Sequence, residues 1–339
     1  MAERIKAVQI GVGHDHAFAV VRTLSKRTDI FDFVGYVVLD GEEALYEERK
    51  WLYKNAKRIS LSEAWAVEGL QAAFIETEDH NLTEYAYMAA KRGLAVHMDK
   101  PGGQDGEAFD TLVDYCKEHK IVFHTGYMYR YNPAIAYILT KLRNGDFGKT
   151  YYVEAQMNSL QPKEKREWLQ QYKGGMMNFL GCHLVDLVLQ IQGMPKEIVP
   201  YNTCSHKDGV GSEDSAFALF KYEDGISFIK TTAVEAGGFT RRQLVICCEK
   251  ATVEINPLEA FSGGDLMTAD VYITDTEKGK AWTYRGEKQT FGPFERYETM
   301  YLQFADMVLG KKENPYTYAY EKTLHKALLN ACGIQSDKR

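Results

Sequence analysis

Ile5-Lys6-Ala7-Val8-Gln9-Ile10-Gly11-Val12-Gly13-His14-Asp15-His16 is the stretch on which the fold turns. A short β-rich run ends at glycine, and Ala17 to Leu24 then reads as a helix. A dinucleotide fold begins this way. One glycine makes the tight turn, and a second lets backbone approach the pyrophosphate. N–H groups at the helix start face the phosphates, and the helix dipole assists. Gly11, Val12, Gly13, His14, Asp15 and His16 are therefore assigned to cofactor binding, with His16 where a third glycine is usual. His14 and His16 are also zinc-ligand types. A zinc site needs three or four converging ligands, and no third histidine stands nearby, so no metal is expected.

Working outward, strand and helix signals alternate. Phe31–Leu39, Ala72–Ile75, Leu94–Met98 and Ile121–Phe123 read as strands. Leu82, Tyr85 and Ala89 mark one helical face, and Phe109, Leu112 and Cys116 another. Such alternation predicts βαβ units and a parallel sheet. Asp40 ends the second strand. A carboxylate there accepts from the adenosine ribose and repels a 2′-phosphate, which favours NAD over NADP. Asp40-Gly41 is also an ordinary turn pair. Thr77, ending the third strand, and His80 in the loop beyond it are expected to border the cofactor.

After residue 126 the rhythm changes. A helix from Pro133 to Arg143 precedes longer strand-like stretches separated by turns such as Glu223-Asp224-Gly225. The expected architecture is α/β: an N-terminal Rossmann doubly wound parallel sheet over residues 1–125, then an α+β domain over 126–339. The second domain carries a large, mostly antiparallel open sheet, with terminal helices near Tyr297–Leu309 and Tyr318–Ala331.

The 339 residues carry a net charge of −6, and the longest basic cluster, Lys163–Arg166, is interrupted by acid. Nucleic-acid binding needs a basic surface, so none is expected. No apolar run reaches the ~18 residues of a membrane helix, and Met1-Ala2-Glu3-Arg4 lacks a signal peptide's apolar core. Six cysteines without a Cys-x-x-Cys pair point to buried thiols in a reducing, cytoplasmic setting.

Lys100 follows the strand Leu94–Met98, beyond whose carboxyl end a ligand is expected. Histidine as a residue type, with a reference pKa near 6.5, suits a base for a hydroxyl proton, which points to His183. Asp186, three residues on, shares its helical face and could orient the ring. Asp99-Lys100-Pro101, Gly126-Tyr127-x-Tyr129-Arg130-Tyr131-Asn132-Pro133 and Gly174-Gly175-x5-Gly181-x-His183-x-x-Asp186 follow the glycine turn in order. Together they resemble the glucose–fructose oxidoreductase / inositol dehydrogenase / rhizopine-catabolism (Gfo/Idh/MocA) family across essentially the whole chain.

The resemblance implies nicotinamide-dependent oxidation of a sugar, cyclitol or related alcohol. It also implies a homodimer or homotetramer formed through the second-domain sheet. The family lysine maps onto Lys100, which would hold the hydroxyl and border the cofactor, and the family histidine onto His183, which would take its proton. Many members carry aspartate four residues before this histidine. Here Phe179 stands there, so a Lys–Asp–His relay is not expected. Tyr127, Tyr129, Trp168 and Asn178 are candidate substrate contacts; Arg130 could bind cofactor or substrate, or pair with a core carboxylate. Two other readings remain open at this point. One is glycoside cleavage through transient oxidation and elimination by bound NAD. The other is a non-catalytic dinucleotide sensor.

Overall fold

The structure is a computed structural model that describes residues 4–335. Met1-Ala2-Glu3, read above for a leader, and residues 336–339 lie outside the described residues. The chain forms two compact units. The first comprises residues 1–127 and 297–325; the second comprises 128–296 and 326–339.

The first unit holds strands β1 (Ile5–Ile10), β2 (Phe31–Val37), β3 (Ala72–Ile75), β4 (Ala95–Met98) and β5 (Phe123–Thr125). They form a parallel sheet in the order β2-β1-β3-β4-β5. The chain steps from β1 to β2 on one side and returns to β3 on the other. The order therefore reverses between β1 and β3, the switch point where open α/β sheets take ligands. Helix α1 (Ala17–Lys26) follows β1. Short helices α2 (Glu43–Arg49) and α3 (Leu61–Trp65) follow β2. The Ser60–Glu63 capping box forms at the start of α3, where its spacing places it.

Side chains alternate across the sheet. Val8, Ile10, Ala73, Ile75, Val96 and Met98 join one core with residues of α4 (Leu82–Ala90) and α5 (Gly106–Glu118). Gln9, Phe74, His97 and His124 stand in cross-strand register on the opposite face. By the same alternation Glu76 and Asp99 continue that face beyond the strand ends.

One expectation is corrected here. The segment 297–325 belongs to the first unit, not the second. Helix α9 (Glu298–Val308; numbered in chain order with α6–α8 below) brings Tyr301 and Phe304 onto Phe74 and His97. The sheet face that α4 and α5 leave uncovered is covered by a helix nearly two hundred residues downstream, a pairing that local periodicity does not encode.

The second unit contains α6 (Pro133–Arg143), β6 (Thr150–Asn158), α7 (Lys163–Leu169) and α8 (Cys182–Gln192). Strands β7 (Glu197–Thr203), β8 (Ser215–Tyr222), β9 (Gly225–Thr232), β10 (Gln243–Cys248), β11 (Ala251–Ile255), β12 (Ala260–Gly263), β13 (Leu266–Asp275) and β14 (Glu287–Glu295) follow. The sheet runs β12-β13-β11-β10-β6-β9-β8-β7, with β14 also on β13. All pairs are antiparallel except β6 with β9. The last helix, α10 (Tyr318–Ala331), passes from the first unit into the second. Among the described residues no helix is long and apolar enough to cross a membrane.

Candidate functional site

The glycine turn lies at the switch point. Gly11 has φ +89°, and a Cβ there would stand 2.7 Å from the backbone of Thr77, so only glycine lets the loops after β1 and β3 meet. The turn's donors are occupied. The buried carboxylate of Glu42 accepts from Val12 N–H at 2.8 Å, Gly13 N–H at 3.0 Å and Leu39 N–H at 3.0 Å. An anion therefore sits on the N–H groups that a pyrophosphate would use. Glu42 was not among the residues singled out from sequence. Its position two residues after Asp40 gave the only signal.

His14 and His16 turn inward. His14 Nδ1 and His16 Nδ1 each lie 3.1 Å from Asp99 Oδ2, and His14 Nε2 lies 3.7 Å from Asp79 Oδ1. Lys100 N–H donates to Asp99 Oδ1 at 2.7 Å. Burial, only partly offset by Asp99, pushes the His16 pKa down to about 4. Burial raises the Asp99 carboxyl, but the imidazoles of His14 and His16 outweigh it and hold Asp99 well below the usual range. Glu76 is fully buried at the end of β3, and burial together with neighbouring Asp99 pushes its carboxyl well up. Lys100 is buried within electrostatic reach of both His16 and Glu76. Asp15, by contrast, is only partly buried and lies 3.7 Å from Arg49.

Asp40 is exposed after β2. It lines a cavity of about 430 Å³ with Leu39, Arg58, Ser60 and Tyr85. The Arg58 guanidinium in that cavity is held by both oxygens of Glu43, at 3.0 and 2.7 Å. Thr77 is buried and His80 exposed.

In the second unit His183 sits on the first turn of α8, buried, with its ring edge-to-face on Tyr129 at 5.1 Å. Asp186 is buried one turn further along the same helix. Its carboxylate is taken by Arg130, through Nε at 3.1 and 3.2 Å and Nη2 at 2.9 Å, and by Gln190 at 2.8 Å. Arg130 and Asp186 thus form a buried ion pair. The Tyr129 hydroxyl donates to Glu259, which also binds Arg242 and Arg296. Burial and the Glu259 charge push Tyr129 up to about 12. That hydroxyl is thus engaged by Glu259. Tyr127 is buried at the end of the first unit.

Trp168 packs on Tyr172 and Phe179, with Lys165 Nζ 3.5 Å above its ring. Met177–Gly181 form a π-helical turn directly before α8. Such a turn inserts a residue and is frequent at functional sites. It shifts the helical register before His183, so counting four residues back to Phe179 on an α-helix does not apply. Asn178 is buried in the same turn. Gly174 and Gly175 admit the segment. Their Cβ atoms would stand 2.7 Å from Cys332 and 2.3 Å from the Glu213 carbonyl oxygen.

Residues 135–254 match the GFO/IDH/MocA C-terminal domain. That match spans about a third of the chain and lies within the second unit. A segment of 171 residues, 48% of the chain, is 24% identical to 2,7-anhydro-N-acetylneuraminate hydratase of Mediterraneibacter gnavus. It spans 46% of that relative, less than half its length. D-xylose 1-dehydrogenase (NADP(+)) 2 of Haloferax volcanii is 23% identical over 72% of this chain and 71% of its own. UDP-N-acetylglucosamine 3-dehydrogenase from Acidithiobacillus ferrooxidans has the same fold, with a TM-score of 0.73 and 18% identity. That superposition covers 98% of each chain.

Proposed function

We propose that this protein is a GFO/IDH/MocA-type, nicotinamide-dinucleotide-dependent oxidoreductase acting on a CH–OH group of a sugar, cyclitol or sugar derivative. The observation that carries the proposal is the glycine turn at the switch point, whose N–H groups already hold an anion, the Glu42 carboxylate. The donor set suits a phosphate, with Gly11, Val12, Gly13, Asp40 and Thr77 as the holding residues. When bound, the dinucleotide supplies the hydride acceptor. By the family resemblance, Lys100 is assigned to the substrate hydroxyl and His183 to its proton. Arg130 and Asp186 act behind His183 by fixing α8, not by exchanging protons with substrate. Asp40 inclines the site to NAD, and Arg58, already held by Glu43, offers little to a 2′-phosphate. The xylose-dehydrogenase relative is named for NADP, so the preference is tested by comparing affinities.

A second reading is favoured by one observation, the hydratase relative. A hydratase gives no net redox change, as would a cycle of oxidation, elimination and re-reduction. Incubation with a panel of sugars, cyclitols and glycosides separates the two. Net NADH or NADPH from free sugars supports the first. Glycoside or anhydro-sugar conversion without net reduced dinucleotide supports the second, and conversion of nothing beside tight dinucleotide binding indicates a sensor. The half-exposed sheet face bearing Phe217 and Phe228, stacked at 5.6 Å, is proposed to meet a second copy.

A further inference from the structure

Two histidines two residues apart and carboxylates from two strand ends converge under the glycine turn. We propose that His14, His16 and Asp99, completed by Glu76, form a buried binding site for a divalent transition cation of the zinc type.

The ligand atoms of His14, His16 and Asp99 all lie within 4.8 Å of one another, and each histidine Nδ1 is 3.1 Å from Asp99 Oδ2. In a tetrahedral zinc site with bonds of about 2.0–2.1 Å, neighbouring ligand atoms stand about 3.3 Å apart. The two histidine–Asp99 separations are close to that spacing. The backbone N–H of His16 lies 3.2 Å from His14 Nδ1, the same nitrogen that stands 3.1 Å from Asp99 Oδ2. A cation bound there would take His14 Nδ1 and Asp99 Oδ2 as ligands.

Glu76 is the independent observation. It is fully buried, its Oε2 lies 3.8 Å from His14 Nδ1, and its carboxyl faces that of Asp99 with no N–H or hydroxyl donor on either oxygen. Two buried carboxyls facing each other are costly as charges, and a bound cation offsets that cost. Lys100 lowers the cost by its charge but gives Glu76 no hydrogen bond. Asp79, 3.7 Å from His14 Nε2, stands where an outer carboxylate orients a metal-bound histidine. The sheet explains the convergence. Glu76 and Asp99 extend one face of β3 and β4, and the turn after β1 folds both histidines onto that face. Two histidines with two carboxylates suit zinc, iron(II) or cobalt(II) better than magnesium or calcium.

The test uses the full chain without dinucleotide. Metal content is measured by plasma mass spectrometry after purification, and chelator-stripped protein is titrated with Co²⁺ and followed by its visible ligand-field bands. The expected result is one equivalent of transition metal and saturable, low-symmetry cobalt bands. Asp79→Asn should weaken Co²⁺ about 10–100-fold, and His14→Gln should abolish stoichiometric binding with far-UV circular dichroism retained. Substoichiometric metal in the purified protein together with no cobalt bands overturns the inference. If His14→Gln does not fold, the wild-type titration and Asp79→Asn still decide. A parallel titration with NAD⁺ and NADP⁺ keeps this outcome separate from that of the oxidoreductase proposal.

Discussion

At Glu42 one carboxylate accepts three backbone N–H groups, two of them from the turn that a pyrophosphate would occupy. The side chain therefore supports the empty turn and opposes an anionic ligand. Glu42→Gln keeps an acceptor oxygen and removes the charge. Charge-assisted bonds are worth about 1.5–3 kcal/mol, so the variant should lose about 1–2 kcal/mol of stability in urea titrations. Its dinucleotide affinity by calorimetry should rise about tenfold, equivalent to about 1.4 kcal/mol. Unchanged affinity with lost stability would mean that the carboxylate does not compete with phosphate. This residue was not legible in the sequence, because an acid at a helix start has many uses and its target lies thirty residues earlier. The inward turn of His14 and His16 was hidden for a similar reason. Their partner Asp99 is more than eighty residues away in sequence and is a carboxylate, not a third histidine.

At the scale of elements, the parallel strands were legible because both faces are covered and their apolar runs are continuous. The hairpins of the second unit were legible through alternation and turn residues. Strand β7 escaped notice because Pro200 interrupts it and it lies at a sheet edge. Strand β14 is mostly exposed and carries no apolar alternation. The π turn before α8 was illegible because a one-residue insertion leaves no compositional mark. It is held in place by the glycine pair. Gly175 has φ +42°, and a Cβ would stand 2.3 Å from the Glu213 carbonyl oxygen. Gly175→Ala should cost about 2–4 kcal/mol by thermal denaturation. Gly145 also has positive φ (+76°) but nothing within 4 Å of a Cβ. Gly145→Ala should cost only about 1–2 kcal/mol. Equal losses would contradict the close-approach account.

For the whole molecule, acid sensitivity has an assignable contribution. His325 is buried, stacked on Phe109 at 4.0 Å with Nε2 3.1 Å from the Gly103 carbonyl oxygen. Burial pushes its pKa from 6.5 down to about 4. The unfolded chain thus takes up this proton before the folded chain does. The stability is present above pH 6.5 and is lost as pH falls toward about 4. His325→Gln should reduce the stability lost across that window by about 1–3 kcal/mol relative to the parent protein. An identical pH profile would show that His325 is not neutral in the folded state. The central claim is that the glycine turn of this molecule holds a nicotinamide dinucleotide. Calorimetric titration with NAD⁺ and NADP⁺, on the parent chain and on Gly11→Val, tests it most directly. The account predicts one site per chain, tighter for NAD⁺, and lost in a Gly11→Val variant that remains folded. No binding of either dinucleotide, or binding indifferent to Gly11→Val, would contradict it.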